Sequence, residues 1–228
     1  MIDTYSYYVK MRAGEGTMIK AVIFDMDGTI LDSMGMWAHL GSDFLKSYGV
    51  NPPSDIDDII MPMGMYESAK YFVDNFDINL TVDEIVKQVY ASIENQYKDH
   101  LQLKPFVYDY FKALHEKGIK MCVATATDKT LAEAVLKRVG ALEFLEFVIT
   151  CDEVGVGKEQ PTIYLKGVEG LGSTVENTVI FEDAIHCINT AKKAGFTVVG
   201  VHDESAKKHM DMLKEKCDRY IMGYEELV

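Results

Sequence analysis

The sequence has no long apolar run, no excess of basic residues and no paired cysteine motif. No run approaches the roughly 18 residues of a membrane-spanning helix, so we expect no association with a membrane. The 23 Lys and Arg residues are outnumbered by 36 Asp and Glu, a net charge of −13. This charge argues against nucleic-acid binding, because nucleic-acid surfaces need clustered basic side chains. The four cysteines have neither a CxxC nor a Cys/His metal spacing, so we expect reduced thiols and a cytoplasmic protein.

The sequence does contain a regular alternation of strand and helix patterns. Hydrophobic residues make up 48% of the 228 residues, which predicts a sizeable core. Short apolar runs alternate with stripes of helical spacing, and this alternation predicts an α/β fold with a doubly wound parallel sheet. The strand-like runs cover residues 19–24, 119–124, 147–150, 178–181 and 197–201.

One long segment has helical patterns but no convincing strand. Within it, Thr81 and Glu84 have the spacing of a capping box, in which each side chain satisfies a free amide at a helix start. The segment therefore predicts an all-helical domain over residues 34–103. We expect it to be inserted into a core formed by residues 18–33 and 104–228.

The first residues follow neither pattern. Residues 1–17 contain three tyrosines but no helix or strand period, and they lack the apolar core of a signal peptide. We predict that they form an N-terminal extension and that a natural start lies at Met18, directly before the first strand.

Two carboxylates one residue apart follow the first strand. Asp25 and Asp27 stand in a turn completed by Gly28 and Thr29. The carboxyl ends of strands are where α/β sheets bind ligands, and an anionic pair there favours a hard cation such as Mg²⁺. Taken alone, this pair is more often a solvated turn.

Three further strand ends have chemically useful side chains. Thr125 offers a hydroxyl beside free backbone amides, which suits a phosphate oxygen. Lys158 precedes a helix that begins with proline, and Glu182–Asp183 ends a buried strand. Taken one at a time, each has an ordinary explanation. Thr125 could be a helix cap, Lys158 a solvated surface lysine, and Glu182–Asp183 an acidic helix start. In one parallel sheet, however, all of these strand ends would meet at the same edge.

In this combination the chain resembles the haloacid dehalogenase superfamily, in the subgroup with a helical cap inserted after the first strand. The resemblance implies a Rossmann-like core and a phosphoryl-transfer enzyme. It assigns Asp25 as the nucleophile that forms an aspartyl-phosphate and Asp27 as the general acid/base. Thr125 and Ala126 would bind a phosphoryl oxygen, and Lys158 would neutralise charge in the transition state.

The resemblance also implies a magnesium site. Mg²⁺ would be held by Asp25, the backbone carbonyl of Asp27, and Asp183. Glu182 would be either a further ligand or a hydrogen-bonding partner of one. His186 lies nearby in the sequence, but Mg²⁺ prefers oxygen ligands, so we expect His186 to be solvated or capping.

Three positions depart from the family pattern. Glu159 stands where a proline usually follows the motif lysine, Thr162 stands where an aspartate is usual, and Cys187 stands where a glycine is usual. None of these changes removes a group with a chemical role. Cys187 adds a side chain where the family keeps close helix packing, so it bears on local packing rather than on catalysis.

These observations predict a monomeric, Mg²⁺-dependent phosphatase acting on a small phosphorylated metabolite such as a sugar phosphate. A β-phosphoglucomutase-like phosphosugar mutase is the enzymatic alternative. In the family that the chain resembles, mutases tend to have valine at the position of Thr29, so the resemblance favours hydrolysis over isomerisation. The absence of arginine between residues 33 and 104 favours hydrolysis too, because bidentate arginine is the usual means of holding a second phosphate. A non-catalytic module that is phosphorylated on Asp25 as a signal is an alternative of another class.

Overall fold

The computed structural model describes residues 19–60 and 63–228, so the predicted extension over residues 1–17 and the start at Met18 lie outside the described residues. The chain divides into two compact units. One unit contains residues 19–32 and 101–228, and the other is Ser33–His100. Among the described residues, no helix is both long and apolar enough to cross a membrane.

The first unit is built on a six-stranded sheet in which every neighbouring pair is parallel. The strands are β1 (Ala21–Phe24), β2 (Lys120–Thr125), β3 (Phe147–Thr150), β4 (Thr178–Glu182), β5 (Thr197–Val201) and β6 (Arg219–Ile221). Their order is β3-β2-β1-β4-β5-β6. Along the chain, β2 and β3 are added on one side of β1, and β4, β5 and β6 are then added on the other. This change of side leaves a crevice beside β1, where α/β sheets bind ligands.

Six helices accompany this sheet in the first unit. They are α5 (Val107–Glu116), α6 (Lys129–Arg138), α7 (Cys151–Val154), α8 (Thr162–Leu171), α9 (Ile185–Lys193) and α10 (Met210–Lys216). The predicted doubly wound parallel fold is thus confirmed. Strand β6 was not anticipated from the sequence, because this edge strand has only three residues and only Ile221 among them is fully buried.

Aromatic rings pack directly behind the central strand ends. The Phe24 ring centroid lies 4.7 Å from that of Phe111 and 4.9 Å from that of Phe181. Tyr224, which follows β6, adds its ring at 6.0 Å from Phe181 and 5.6 Å from Tyr110. Because Phe24 and Phe181 immediately precede Asp25 and the Glu182–Asp183 pair, this packing fixes the backbone from which those carboxylates project.

The second unit consists of helices. They are α1 (Met34–Ser47), α2 (Ile56–Ile60), α3 (Met65–Asn75) and α4 (Val82–Asn95), with a π-helical turn over Gln96–His100. The capping box at the start of α4 is confirmed, since the side chains of Thr81 and Glu84 each accept from the other's backbone amide. Inside the unit, the Phe44 and Phe72 rings stack with centroids 6.0 Å apart. The short helix α2 and the helix α3 were not anticipated from the sequence.

The chain segments that enter and leave the helical unit are paired within the first unit. The Asp32 amide donates to the Gln102 carbonyl at 3.0 Å, and the Lys104 amide donates to the Ile30 carbonyl at 2.9 Å. The Lys104 ammonium also binds the side chain of Asp203 at 2.9 Å. Residues 101–103 therefore belong to the sheet-containing unit, and the helical unit ends at His100 rather than at the predicted residue 103.

Candidate active site

The register of the three central strands brings the sequence motifs to one edge. Phe24 of β1 is aligned with Val123 of β2 and with Phe181 of β4. The amide of Asp25 continues the ladder by donating to the Phe181 carbonyl at 2.9 Å. Residues that follow these positions therefore leave the sheet side by side, which unites segments that are distant in the sequence.

The turn after β1 is held by its own backbone. Gly28 has a φ of 83°, a left-handed conformation that suits glycine. Its amide donates to the Leu31 carbonyl at 3.1 Å, and the Leu31 amide donates to the Met26 carbonyl at 2.9 Å. Thr29 in this turn donates its hydroxyl to Oδ1 of Asp183 at 3.2 Å. The turn therefore orients a carboxylate of the neighbouring strand as well as presenting its own.

Three buried carboxylates gather at this edge. Asp25, Glu182 and Asp183 each offer an oxygen, and these oxygens all lie within 4.8 Å of one another. All three side chains are almost completely buried. Carboxylate oxygens in such a group are the ligands that Mg²⁺ and similar hard cations prefer.

Lys158 supplies the positive charge of the cluster. Its ammonium contacts Oδ1 of Asp25 and lies 2.8 Å from Oε1 of Glu182. The side chain is only 7% exposed, so the explanation of a solvated surface lysine is wrong for this residue. Three carboxylates against one ammonium leave an excess of negative charge, and a divalent cation with oxygen ligands would balance it. The residues present therefore fit a magnesium ion.

Glu182 accepts hydrogen bonds on both of its oxygens. Oε1 accepts from Lys158 and, at 3.1 Å, from the hydroxyl of Tyr164. Oε2 accepts from the amides of Asp183 and Ala184 at 3.1 and 3.2 Å. A carboxylate has about four lone-pair positions, so these four donors fill its capacity. Of the two roles left open for Glu182, this arrangement favours the hydrogen-bonding one.

Burial controls the ionisation of the cluster. Desolvation, and next the negative charge of Glu182, raise the pKa of Asp25 to about 7, although Lys158 acts in the opposite direction. Desolvation followed by the charges of Asp25 and Glu182 also raises the pKa of Asp183 well above its ordinary value. Burial lowers the pKa of Lys158, but the carboxylates of Asp25 and Glu182 outweigh burial and raise it above its ordinary value. The lysine therefore carries its charge at neutral pH.

After the end of β2, hydrogen bonds of Thr127 link Thr125 to Asp27. The Thr125 hydroxyl oxygen, on an almost fully buried side chain, accepts from the amide of Thr127 at 3.0 Å. The Thr127 hydroxyl donates to Oδ2 of Asp27 at 2.7 Å. The Asp27 carboxylate is not among the three oxygens of the acidic cluster, so any part it has in metal binding is left to its backbone carbonyl. Ala126 lies in the same turn and is exposed.

The positions that depart from the family pattern have little effect on the contacts of the acidic cluster. Glu159 is exposed, whereas Cys187 is buried, and burial raises the pKa of its thiol. His186 is exposed and lies outside the acidic cluster, in keeping with the solvated role expected for it.

Three contributors were missed from the sequence. They are Thr29, Thr127 in its contact with Asp27, and Tyr164. Only Thr29 had a sequence signal for this role, namely its place directly beside the DxD pair.

Comparison with known proteins identifies the class. A family model described as haloacid dehalogenase-like hydrolase matches residues 22–201. The chain therefore belongs to the haloacid dehalogenase-like hydrolase family, and the resemblance inferred from its motifs is confirmed.

Relatives within this class include named phosphatases. The phosphorylated carbohydrates phosphatase of Thermotoga maritima is 28% identical over 177 residues, covering 78% of this chain and 82% of that protein. The fructose-1-phosphate phosphatase of Escherichia coli is also 28% identical, over 79% of this chain and 95% of that protein. A solved structure from Thermotoga maritima, described as a "putative beta-phosphoglucomutase", has a TM-score of 0.78 at 27% identity. That match covers 92% of this chain and 97% of the other.

Proposed function

We propose that this protein is a Mg²⁺-dependent phosphomonoester hydrolase that acts on a small phosphorylated metabolite through an aspartyl-phosphate on Asp25. The observation that carries the proposal is the contact of Lys158 with Asp25 inside a buried acidic cluster, at the sheet edge where Thr125 also ends its strand. A buried carboxylate that is held beside a fixed cation suits attack on a phosphate group, because the cation offsets the repulsion between the two anions.

In the first step, a carboxylate oxygen of Asp25 forms a bond to phosphorus as the bond from phosphorus to the substrate oxygen breaks. Asp27 gives its proton to that leaving oxygen, so the products are a free alcohol and the phosphorylated Asp25. Thr125 donates its hydroxyl to a phosphoryl oxygen and Lys158 compensates the charge that develops. A magnesium ion bound by Asp25 and Asp183 would add electrostatic stabilisation of the phosphoryl oxygens.

In the second step, Asp27 takes a proton from water as the water oxygen attacks phosphorus. The bond between phosphorus and the Asp25 oxygen breaks, which releases inorganic phosphate and regenerates both side chains. One carboxyl group thus serves as acid and then as base, so no other proton carrier is required.

A sugar phosphate is the substrate class we favour. The two phosphatases described above are named for phosphorylated carbohydrates and for fructose 1-phosphate. The test is to incubate the purified protein with Mg²⁺ and a panel of phosphorylated metabolites, and to measure phosphate release. Sugar phosphates should be hydrolysed faster than nucleotides or phosphorylated amino acids. Equal rates for all classes would contradict this substrate assignment.

Mutase activity is the second candidate, and the structural match to the protein described as a "putative beta-phosphoglucomutase" favours it. The basic side chains argue against it. Within the helical unit, Lys46, Lys70 and Lys98 each form an ion pair with a carboxylate three or four residues earlier or later in the chain. Lys104 is bound to Asp203. Lys87, which is exposed, is the remaining lysine of the helical unit, so at most one ammonium of this unit is left to hold the second phosphate of a bisphosphate.

Incubation with β-glucose 1-phosphate, a trace of the 1,6-bisphosphate and Mg²⁺ separates the two enzymes. Free phosphate should appear faster than glucose 6-phosphate, and the opposite order would establish the mutase. A signalling module would release phosphate from no substrate, so hydrolysis of an aryl phosphate excludes that alternative.

A further inference from the structure

Thr127 makes two hydrogen bonds that connect two residues of the proposed machinery. Its amide donates to Oγ1 of Thr125 at 3.0 Å. Its hydroxyl donates to Oδ2 of Asp27 at 2.7 Å, across 100 residues of sequence. The side chain is half-buried, in the turn that separates β2 from α6.

The helix cap does not explain the Thr127 hydroxyl. Helix α6 is capped by Asp128, whose carboxylate accepts from the amides of Thr130 and Leu131 at 2.8 and 3.2 Å. The ordinary role of a threonine at a helix start is therefore taken by the next residue. The hydroxyl of Thr127 is directed instead to the carboxylate at the end of β1.

We infer that Thr127 is a positioning residue for the general acid, and this inference rests on the function proposed above. By donating to Oδ2 of Asp27, the hydroxyl fixes the rotation of the carboxyl group and makes Oδ2 its accepting oxygen. The proton that passes to the leaving oxygen is then held on Oδ1. The amide of Thr127 fixes Thr125 at the same time, so the phosphate-binding hydroxyl and the acid are held by a single residue.

The chemistry predicts where this positioning matters. As the bond between phosphorus and the leaving oxygen breaks, a basic leaving oxygen must receive the Asp27 proton, whereas p-nitrophenolate is stable as an anion. General acids typically contribute factors of about 10²–10⁴, and a misoriented acid should lose part of that factor. The loss should therefore be largest for the most basic leaving group and small for p-nitrophenol.

The experiment uses Thr127→Val, which removes the hydroxyl, keeps the side-chain shape and leaves the backbone hydrogen bond to Thr125 intact. We would measure kcat/KM for a series of para-substituted phenyl phosphates, which have nearly the same shape but differ in leaving-group acidity. The ratio kcat/KM reports on steps up to the formation of the aspartyl-phosphate. Thr127→Val should lose on the order of tenfold with phenyl phosphate and less than about threefold with p-nitrophenyl phosphate.

Two variants serve as controls. Thr127→Ser retains a hydroxyl and should restore the wild-type dependence on leaving-group acidity. Thr130→Val makes the same chemical change at an exposed position of the first turn of α6 and should behave as wild type. If Thr127→Val does not fold, Thr127→Ala replaces it, with circular dichroism as the check.

The outcomes separate a positioning role from a structural one. The inference is supported if kcat/KM depends more steeply on leaving-group acidity in Thr127→Val than in the wild type, and if Thr127→Ser does not show this change. An equal loss across the series, or no loss, overturns it and makes Thr127 a substrate contact or a packing residue. Failure of the wild-type protein to hydrolyse any aryl phosphate or metabolite refutes the proposed function instead, and this is visible before any variant is compared.

Discussion

Replacing Asp25 with asparagine is expected to abolish phosphatase activity while making the metal-free protein more stable. Burial and the neighbouring Glu182 raise the pKa of Asp25 from 3.8 to about 7. The folded protein therefore holds this proton more tightly than the unfolded chain does. Consequently, the contribution of Asp25 to stability is lost as the pH rises from about 4 to about 7.

The size of the effect follows from the two pKa values. The interval from 3.8 to about 7 corresponds to about 4 kcal/mol, at 1.36 kcal/mol per pH unit. In the Asp25→Asn variant the loss of the ion pair with Lys158 offsets part of this amount, while Lys158 keeps its contact with Glu182, so we expect a net gain of about 2–4 kcal/mol near pH 7.5. For a chain of this length the gain corresponds to a rise in Tm on the order of 5–15 °C.

The assay is urea unfolding followed by circular dichroism, in EDTA, near pH 7.5 and near pH 5. The advantage of Asp25→Asn should shrink as the pH falls, because the wild-type carboxyl group is then protonated in the folded state. Adding Mg²⁺ should stabilise the wild type more than the variant, which lacks one proposed ligand. Asp152→Asn makes the same chemical change at an exposed position of α7 and should have little effect.

An Asp25→Asn variant that is less stable than the wild type in EDTA near pH 7.5 would refute the destabilising effect of the ionised Asp25 carboxylate. A stability difference that did not change with pH would be equally damaging, because it would remove ionisation as the cause. Near-wild-type turnover in the variant would reject Asp25 as the nucleophile.

Three other changes test separate parts of the structure. Asp183→Ala should weaken Mg²⁺ binding, measured by calorimetry, and EDTA should stop turnover of the wild type; full activity in excess EDTA would exclude a metal. Lys158→Met should lower kcat by a factor on the order of 10² or more and cost about 3–5 kcal/mol in urea unfolding, because it leaves buried carboxylates uncompensated; an unchanged kcat would reject its proposed role. Phe106 has a φ of 65° although it is not glycine, so Phe106→Gly should keep or raise stability, whereas Tyr108→Gly in the following helix should lose about 1 kcal/mol or more. Equal losses for these last two variants would show that Phe106 is not strained.

The sequence alone determined the architecture and the identity of the motif residues. Short apolar runs that end in Asp25, Thr125 and Glu182 and alternate with helical patterns are typical of central strands of a parallel sheet, and such strands end at one edge. The capping box at Thr81 determined where one helix of the second unit begins, because its hydrogen bonds are local. Local spacing and burial patterns were enough for these conclusions.

Only the tertiary structure decided how the motif residues act on one another. The burial of Lys158 between Asp25 and Glu182 depends on chain segments that are 133 and 24 residues away, and no local pattern encodes such a contact. The same holds for the hydroxyl of Thr127 on Asp27, because a threonine before a helix has the same sequence pattern whether it caps that helix or reaches across the sheet. The raised pKa of Asp25 likewise arises from desolvation, which exists only once the strands have packed and water has been excluded.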